Sequence, residues 1–153
     1  MQYQRSFPAW LVCSLLTALL FVTVGATSSG GREFSGYFDI SGVHEQGELM
    51  QVTLHLKLFN HSDADAKSVI VTLIDSSPAM TFRGNFQPVK VWKSHQFIEM
   101  SQEFSVTKRE FQEWMAPPAQ PNLVILFRDA KGMSWQRGAQ ISRRPLVRVP
   151  AQD

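Results

Sequence analysis

Four histidines, His44, His55, His61 and His95, are the side chains best suited to ligate a transition metal. A zinc or copper site needs three or four ligands converging in space. No His-x-x-x-His or similar spacing is present. His44 stands beside Glu45 and Glu48, and His61 stands near Asp63 and Asp65 in a run of turn formers. His55 falls on the outward phase of a strand. These read as surface histidines, and no metal or cofactor is expected. Serine hydrolysis would need a nucleophile in a strained turn with a histidine and a carboxylate. No Gly-x-Ser-x-Gly is present to mark such a serine. Glu99 and Glu103, the best carboxylate pair on one strand face, would stand ~14 Å apart at ~3.4 Å per residue. Glycosidase pairs use about 5 to 9.5 Å. The glycine-rich run Ser28, Ser29, Gly30, Gly31 leads to no glycine-lysine pair, so no phosphate loop is present. No catalytic residue is assigned, and the chain is not expected to be an enzyme.

Aromatic side chains carry more. Tyr37, Phe59 and Phe97 fall on outward strand phases, and Trp92 lies between Lys90 and Lys93. Exposed aromatics bind protein anchors or sugar rings. Phe59, Trp92 and Phe97 are therefore expected to form an interaction surface. Trp114 and Trp135 are assigned to the core. Asn60, His61 and Ser62 form a glycosylation sequon, which matters only in a eukaryotic secretory host.

The element that positions these groups is residues 49–60. Met50, Val52, Leu54, Leu56 and Leu58 alternate with Gln51, Thr53, His55, Lys57 and Phe59. Strict period two predicts a strand with one dry face and one wetter face. A first strand is expected over residues 34–41, then a polar turn over 42–48. Residues 67–75 and 122–128 are apolar on both phases and β-branched, which predicts central strands. The second face of the former would be covered by a loop or another chain. Residues 80–83 and 89–92 read as short strands, and residues 96–106 as a longer one. Thr107 with Glu110 resembles a capping box, and Phe111, Trp114 and Met115 take helical spacing. One or two helical turns there would bridge two sheets, and Pro117, Pro118 and Pro121 end them. Asp129, Ala130, Lys131 and Gly132 predict a hairpin turn. Residues 133–142 alternate again, with a bulge expected at Arg137 and Gly138. Seven or eight strands with no long amphipathic helix predict an all-β, two-sheet antiparallel sandwich.

Residues 1–26 carry one charge, Arg5, then an apolar run and small residues up to Ala26. That is the pattern of a signal helix cleaved after Ala26, with an uncleaved anchor as the alternative. The sole cysteine, Cys13, lies inside this run, preceded by Val12, so lipidation is not expected. A mature chain from Thr27 would hold no thiol, which excludes disulfides and cysteine metal ligation. Residues 27–33 read as a flexible linker, 34–144 as the sandwich domain and 145–153 as a tail. The 15 basic and 13 acidic residues nearly cancel. Acidic groups gather early (Glu33, Asp39, Glu45, Glu48, Asp63, Asp65), and Arg143, Arg144 and Arg148 gather late. Three arginines are too few for a nucleic-acid footprint.

The strand order over residues 34–144 resembles immunoglobulin-like and fibronectin type III-like modules of exported bacterial proteins. The resemblance rests on the strand ending in Asn60, His61, Ser62, on the bridging turn before a buried strand, and on the closing hairpin. A cysteine pair and a tyrosine just before residue 122 are missing, and Phe111 and Trp114 are candidates to plug that corner. The resemblance implies a non-catalytic binding or structural module, exported to the periplasm, cell surface or medium. Its expected partner is another exported or envelope protein. Polysaccharide is the alternative, and membrane contact would come only through residues 1–26 if they are uncleaved.

Overall fold

The structure, a computed structural model, describes residues 33–144. The candidate leader of residues 1–26, the linker as far as Arg32 and the tail of residues 145–153 lie outside the described residues. In chain order the elements are β1 (Phe34–Gln46), β2 (Leu49–Asn60), β3 (Ala66–Ile74), β4 (Phe82–Asn85), β5 (Val89–Trp92), β6 (Phe97–Thr107), α1 (Lys108–Met115), β7 (Asn122–Arg128), β8 (Ser134–Gly138) and β9 (Gln140–Arg143). The described residues are nearly all β, with two sheets in which antiparallel pairing dominates. One sheet runs β6-β2-β1-β9, and the other runs β4-β3-β7-β8 with β5 also on β3. Among the described residues no helix is long and apolar enough to cross a membrane.

The inward phase of β2 holds Val52, Leu54, Leu56 and Leu58, all buried as the alternation predicts. They meet Val69, Val71 and Leu73 of β3 and Leu123, Ile125 and Phe127 of β7 in one core. Aromatic contacts tie the two sheets together. Phe34 meets Phe127 edge-on at 5.3 Å, and Phe86 meets Phe104 at 5.0 Å. Strand β3 is central, as expected. A register shift between Lys67 and Ile70, with Ser68 at φ 50, lets both Ala66 and Val69 point inward. On the outer side of that sheet Ile70 and Val124 are half-buried and Leu126 reaches solvent. No described loop closes that face at Leu126.

Three local expectations change. The polar stretch 42–46 is strand, not turn. β1 continues past a bulge between Ser41 and His44, and only residues 47–48 turn. Those residues project beyond the core, where pairing needs no apolar alternation. At Arg137 and Gly138 the chain does not bulge within one strand. β8 pairs with β7 as far as Gly138, and β9 then crosses to pair with β1 in the other sheet. The out-of-phase Arg137 marks that crossing, and it is held by Glu33 at 3.0 Å. The β1–β9 pairing is parallel, so the assembly is not purely antiparallel.

The helix forms where the capping box predicts it. The Thr107 hydroxyl accepts from the Glu110 N–H at 3.2 Å, and the Glu110 carboxylate accepts from the Thr107 N–H at 2.9 Å. Trp114 is buried, while Met115 faces solvent. Glu110 also receives Arg83 of β4, at 3.2 Å from Nε and 2.9 Å from Nη2. Arg83 Nη2 reaches Asp75 at 3.3 Å. Asp75 Oδ1 accepts from the Ser77 hydroxyl at 2.7 Å and from the Thr81 N–H at 2.9 Å. The Ser77 hydroxyl first, then the Thr81 and Ser77 backbone donors, hold the Asp75 carboxyl below its usual range. A carboxyl lowered by folding contributes stability above its unfolded pKa of about 4, and that stability is lost as pH falls through the folded value. Asp65 and Asp129 are lowered in the same direction, chiefly by Lys93 and by the Trp135 indole N–H respectively. The urea midpoint should therefore hold level from pH 7 to 5 and drop below about pH 4. Asp75→Asn should already be less stable at pH 7 and show a shallower acid slope. An unchanged slope in that variant would remove Asp75 from this account.

Candidate functional site

The outward phases of β1, β2 and β6 build one face, because pairing register sets which side chains stand side by side. Its rows are Ser35, Phe59, Phe97; then Tyr37, Lys57, Glu99; then Asp39, His55, Ser101; then Ser41, Thr53, Glu103. Two of the three residues expected to form a contact surface, Phe59 and Phe97, lie in the first row. Their ring centroids are 4.7 Å apart, and Phe97 is 52% exposed. His61 stands edge-on to Phe59 at 4.6 Å, and His95 lies 6.5 Å away. Lys57 Nζ sits 5.1 Å from the Phe97 centroid and 2.7 Å from Glu99. Lys57, then Arg144, keep the Glu99 carboxyl below its usual range.

The third expected surface residue is a correction. Trp92 is 1% exposed. Its ring stacks on Phe34 at 4.8 Å, and its indole N–H donates to the Gln96 carbonyl at 2.9 Å. Lys93 lies one residue beyond the end of β5, and Lys90, two residues back, is exposed although it shares the phase of the buried Trp92. A lysine next in sequence therefore says nothing about the face Trp92 occupies. Trp135 is the converse correction. Assigned to the core, it is 40% exposed, bonds Asp129 Oδ2 at 2.9 Å and lies 4.8 Å beneath the Arg137 guanidinium. β8 is an edge strand, so even its inward phase reaches solvent at the rim. Trp114 and Tyr37 take the places expected, one buried and the other 45% exposed.

Asn60 is fully buried. Its amide donates to the Ala64 carbonyl at 3.1 Å, and its oxygen accepts from the Ser62 hydroxyl at 2.7 Å. The sequon is thus a structural knot whose amide is committed within the fold.

His55 lies on the outward face of β2, as its strand phase predicts, but its two serine partners are not legible from spacing. Its Nε2 lies 2.6 Å from Ser41 Oγ, and its Nδ1 is bonded to Ser101 Oγ. A neutral imidazole has one N–H and one acceptor nitrogen, so one serine accepts from the ring and the other donates to it. Asp39 is next in the row, yet its Oδ1 accepts from the Ile40 N–H at 2.8 Å. Both ring nitrogens meet serines, so among the described residues no carboxylate is bonded to this imidazole. Two of the other three histidines are bonded locally: His61 with Ser35 at 2.6 Å and His95 with Asp63 at 3.0 Å. Among the described residues no group of three or more His, Cys, Asp or Glu side chains is placed to hold a metal ion. Beside this row lies an open concavity of about 400 Å³ lined by Tyr37, Asp39, His55, Lys57, Glu99, Ser101 and Arg144, with Phe38, Leu56 and Met100 also bordering it.

No family model matches the chain, and no curated protein does. Among solved structures, a GH20 exo β-N-acetylglucosaminidase from Vibrio harveyi in complex with N-acetylglucosamine overlaps it with a TM-score of 0.39 at 16% identity. The overlap covers 72% of this chain and 18% of that enzyme, and an inactive mutant of the same enzyme gives the same figures.

Proposed function

We propose that this chain is an exported immunoglobulin-like β-sandwich that works by binding another exported or envelope protein, not by catalysis. The observation that carries the reading is the Phe59–Phe97 pair on the outer face of β2 and β6. Protein interfaces concentrate their energy in a few aromatic anchors surrounded by a polar rim that excludes water. Phe97 offers such an anchor, and Lys57, Glu99, His61 and His95 supply a rim of both signs. The immunoglobulin-like assignment rests on the strand order of the two sheets and on the way β9 crosses from one to the other. Export rests on residues 1–26, and an intact mass beginning at Thr27 is the expected result for protein isolated from its host.

The docking reading is tested by a photoreactive phenylalanine analogue at position 97 in the native host, with position 133 at the β7–β8 turn as control. A discrete adduct should form from position 97 and not from 133. It should vanish in the presence of Phe59→Ser, with affinity for the identified partner falling about 30-fold, equivalent to ~2 kcal/mol. No adduct from position 97, or equal adducts from both positions, would sink the assignment.

A further inference from the structure

The geometry points to a second binding site: the concavity beside Tyr37 takes a neutral, hydroxyl-rich ring of the hexose class. This goes beyond the protein-docking reading: Phe59 and Phe97 do not line it, although Lys57 and Glu99 border both surfaces. Size comes first. About 400 Å³ lies at the small end of the ~300–1,000 Å³ found for small-molecule sites.

Charge comes second. Asp39, Glu99, Lys57 and Arg144 all line the hollow, so its walls carry two charges of each sign. Lys57 and Glu99 are already paired at 2.7 Å. A wall balanced in this way gives an anion or a cation no net attraction, yet offers strong acceptors and strong donors side by side. Sugar hydroxyls each donate one hydrogen bond and accept others, so vicinal hydroxyls use both kinds of partner at once.

Preorganisation comes third. His55 is clamped from both ring nitrogens by Ser41 and Ser101, which fixes the imidazole without a ligand present. Both ring nitrogens are then taken, so the held group that can still bond a ligand is the Ser101 hydroxyl, which lines the hollow and has spare hydrogen-bonding capacity; held groups lose little freedom on binding. Tyr37 completes the set. Its exposed ring stands one row from His55, and an aromatic face packs against the C–H face of a pyranose while the phenol hydroxyl bonds at the rim.

The test is a titration of the full-length, 15N-labelled protein with neutral tetrasaccharides of glucose, mannose and galactose, and with tetragalacturonate as the anionic comparison. At least one neutral sugar should give saturable amide shifts at Tyr37, Asp39, His55, Lys57, Glu99 and Ser101, with Kd near 1 mM. Tetragalacturonate should bind about tenfold more weakly or worse. Tyr37→Ala and Asp39→Asn should each weaken the neutral sugar about tenfold, while Met133→Ser, an exposed residue that does not line the hollow, leaves it unchanged. No saturable shift up to about 20 mM, shifts that map elsewhere, tighter binding of tetragalacturonate, or full binding by Tyr37→Ala would each overturn the proposal. The position-97 adduct reads the protein-docking reading separately, so failure of one leaves the other standing.

Discussion

Gly36→Ala should cost the fold about 3 kcal/mol or more, the steepest loss for any glycine among the described residues. A Cβ at position 36 would meet the Lys57 carbonyl oxygen at 2.1 Å and the Leu58 Cα at 2.9 Å. Both are backbone atoms of β2, the strand at the middle of its sheet. A side chain in the way could rotate aside; a ladder carbonyl cannot. β1 must then move away from β2 at the Gly36–Leu58 pair, and it is held on its other side by the Gly36–Ile141 pairing with β9. Glycine inside a strand often marks such a close backbone approach. Gly47→Ala makes the comparison. Nothing lies within 4 Å of its Cβ, and only the left-handed φ of +63° opposes alanine. That variant should lose about 1 kcal/mol. Urea denaturation of the two variants side by side decides the matter, and equal midpoints would refute the close-approach argument.

Trp92→Ala should cost about 4 kcal/mol, within the range for removing a large aromatic from a packed core. It empties the space above Phe34 and leaves the Gln96 carbonyl without the indole N–H that now donates to it. Ala66, opposite Trp92 in the β3–β5 register, is too small to fill the gap. Trp92→Phe keeps the stack on Phe34 and loses the hydrogen bond, so about 1–2 kcal/mol is expected. An exposed tryptophan between lysines would behave otherwise, with both variants within about 0.5 kcal/mol of the parent. Chemical denaturation therefore reads burial at this position directly. A loss for Trp92→Ala of under about 1 kcal/mol would return Trp92 to the surface.

These two positions mark different boundaries of sequence reasoning. Gly36 lies within the expected first strand, but nothing in a linear pattern says which carbonyl will press on its Cα. Trp92 sits in a four-residue strand, too short for phase to show, and its lysine neighbours argued for the wrong face. The β8–β9 crossing shows a third case. The break in alternation at Arg137 was visible, but whether such a break is a bulge or a change of sheet depends on what the next residues pair with. Of the surface proposed from sequence, Phe59 and Phe97 are adjacent because Phe59 is in register with Phe97 across β2 and β6. Their outward phases were legible; their 4.7 Å contact was not. The same holds for Ser41, His55 and Ser101, three polar residues on three strands that no spacing rule connects.

What the sequence determined by itself is whatever repeats with a local period or a local hydrogen bond. The β2 strand and its buried face, the doubly apolar β3 and β7, the capping box at Thr107 and Glu110, and the β7–β8 turn at Gly132 all follow from neighbours within a few residues. Local propensity and burial phase act over that range, so the pattern is written where it acts. What only the tertiary structure decided is which of the outward or inward phases meets another strand, and at what register. Burial of Trp92, exposure of Trp135, the parallel β1–β9 pair and the Tyr37 concavity each depend on pairings between residues far apart in the chain. The free energy of those pairings comes from packing and register across the sheets, which one strand's sequence does not contain.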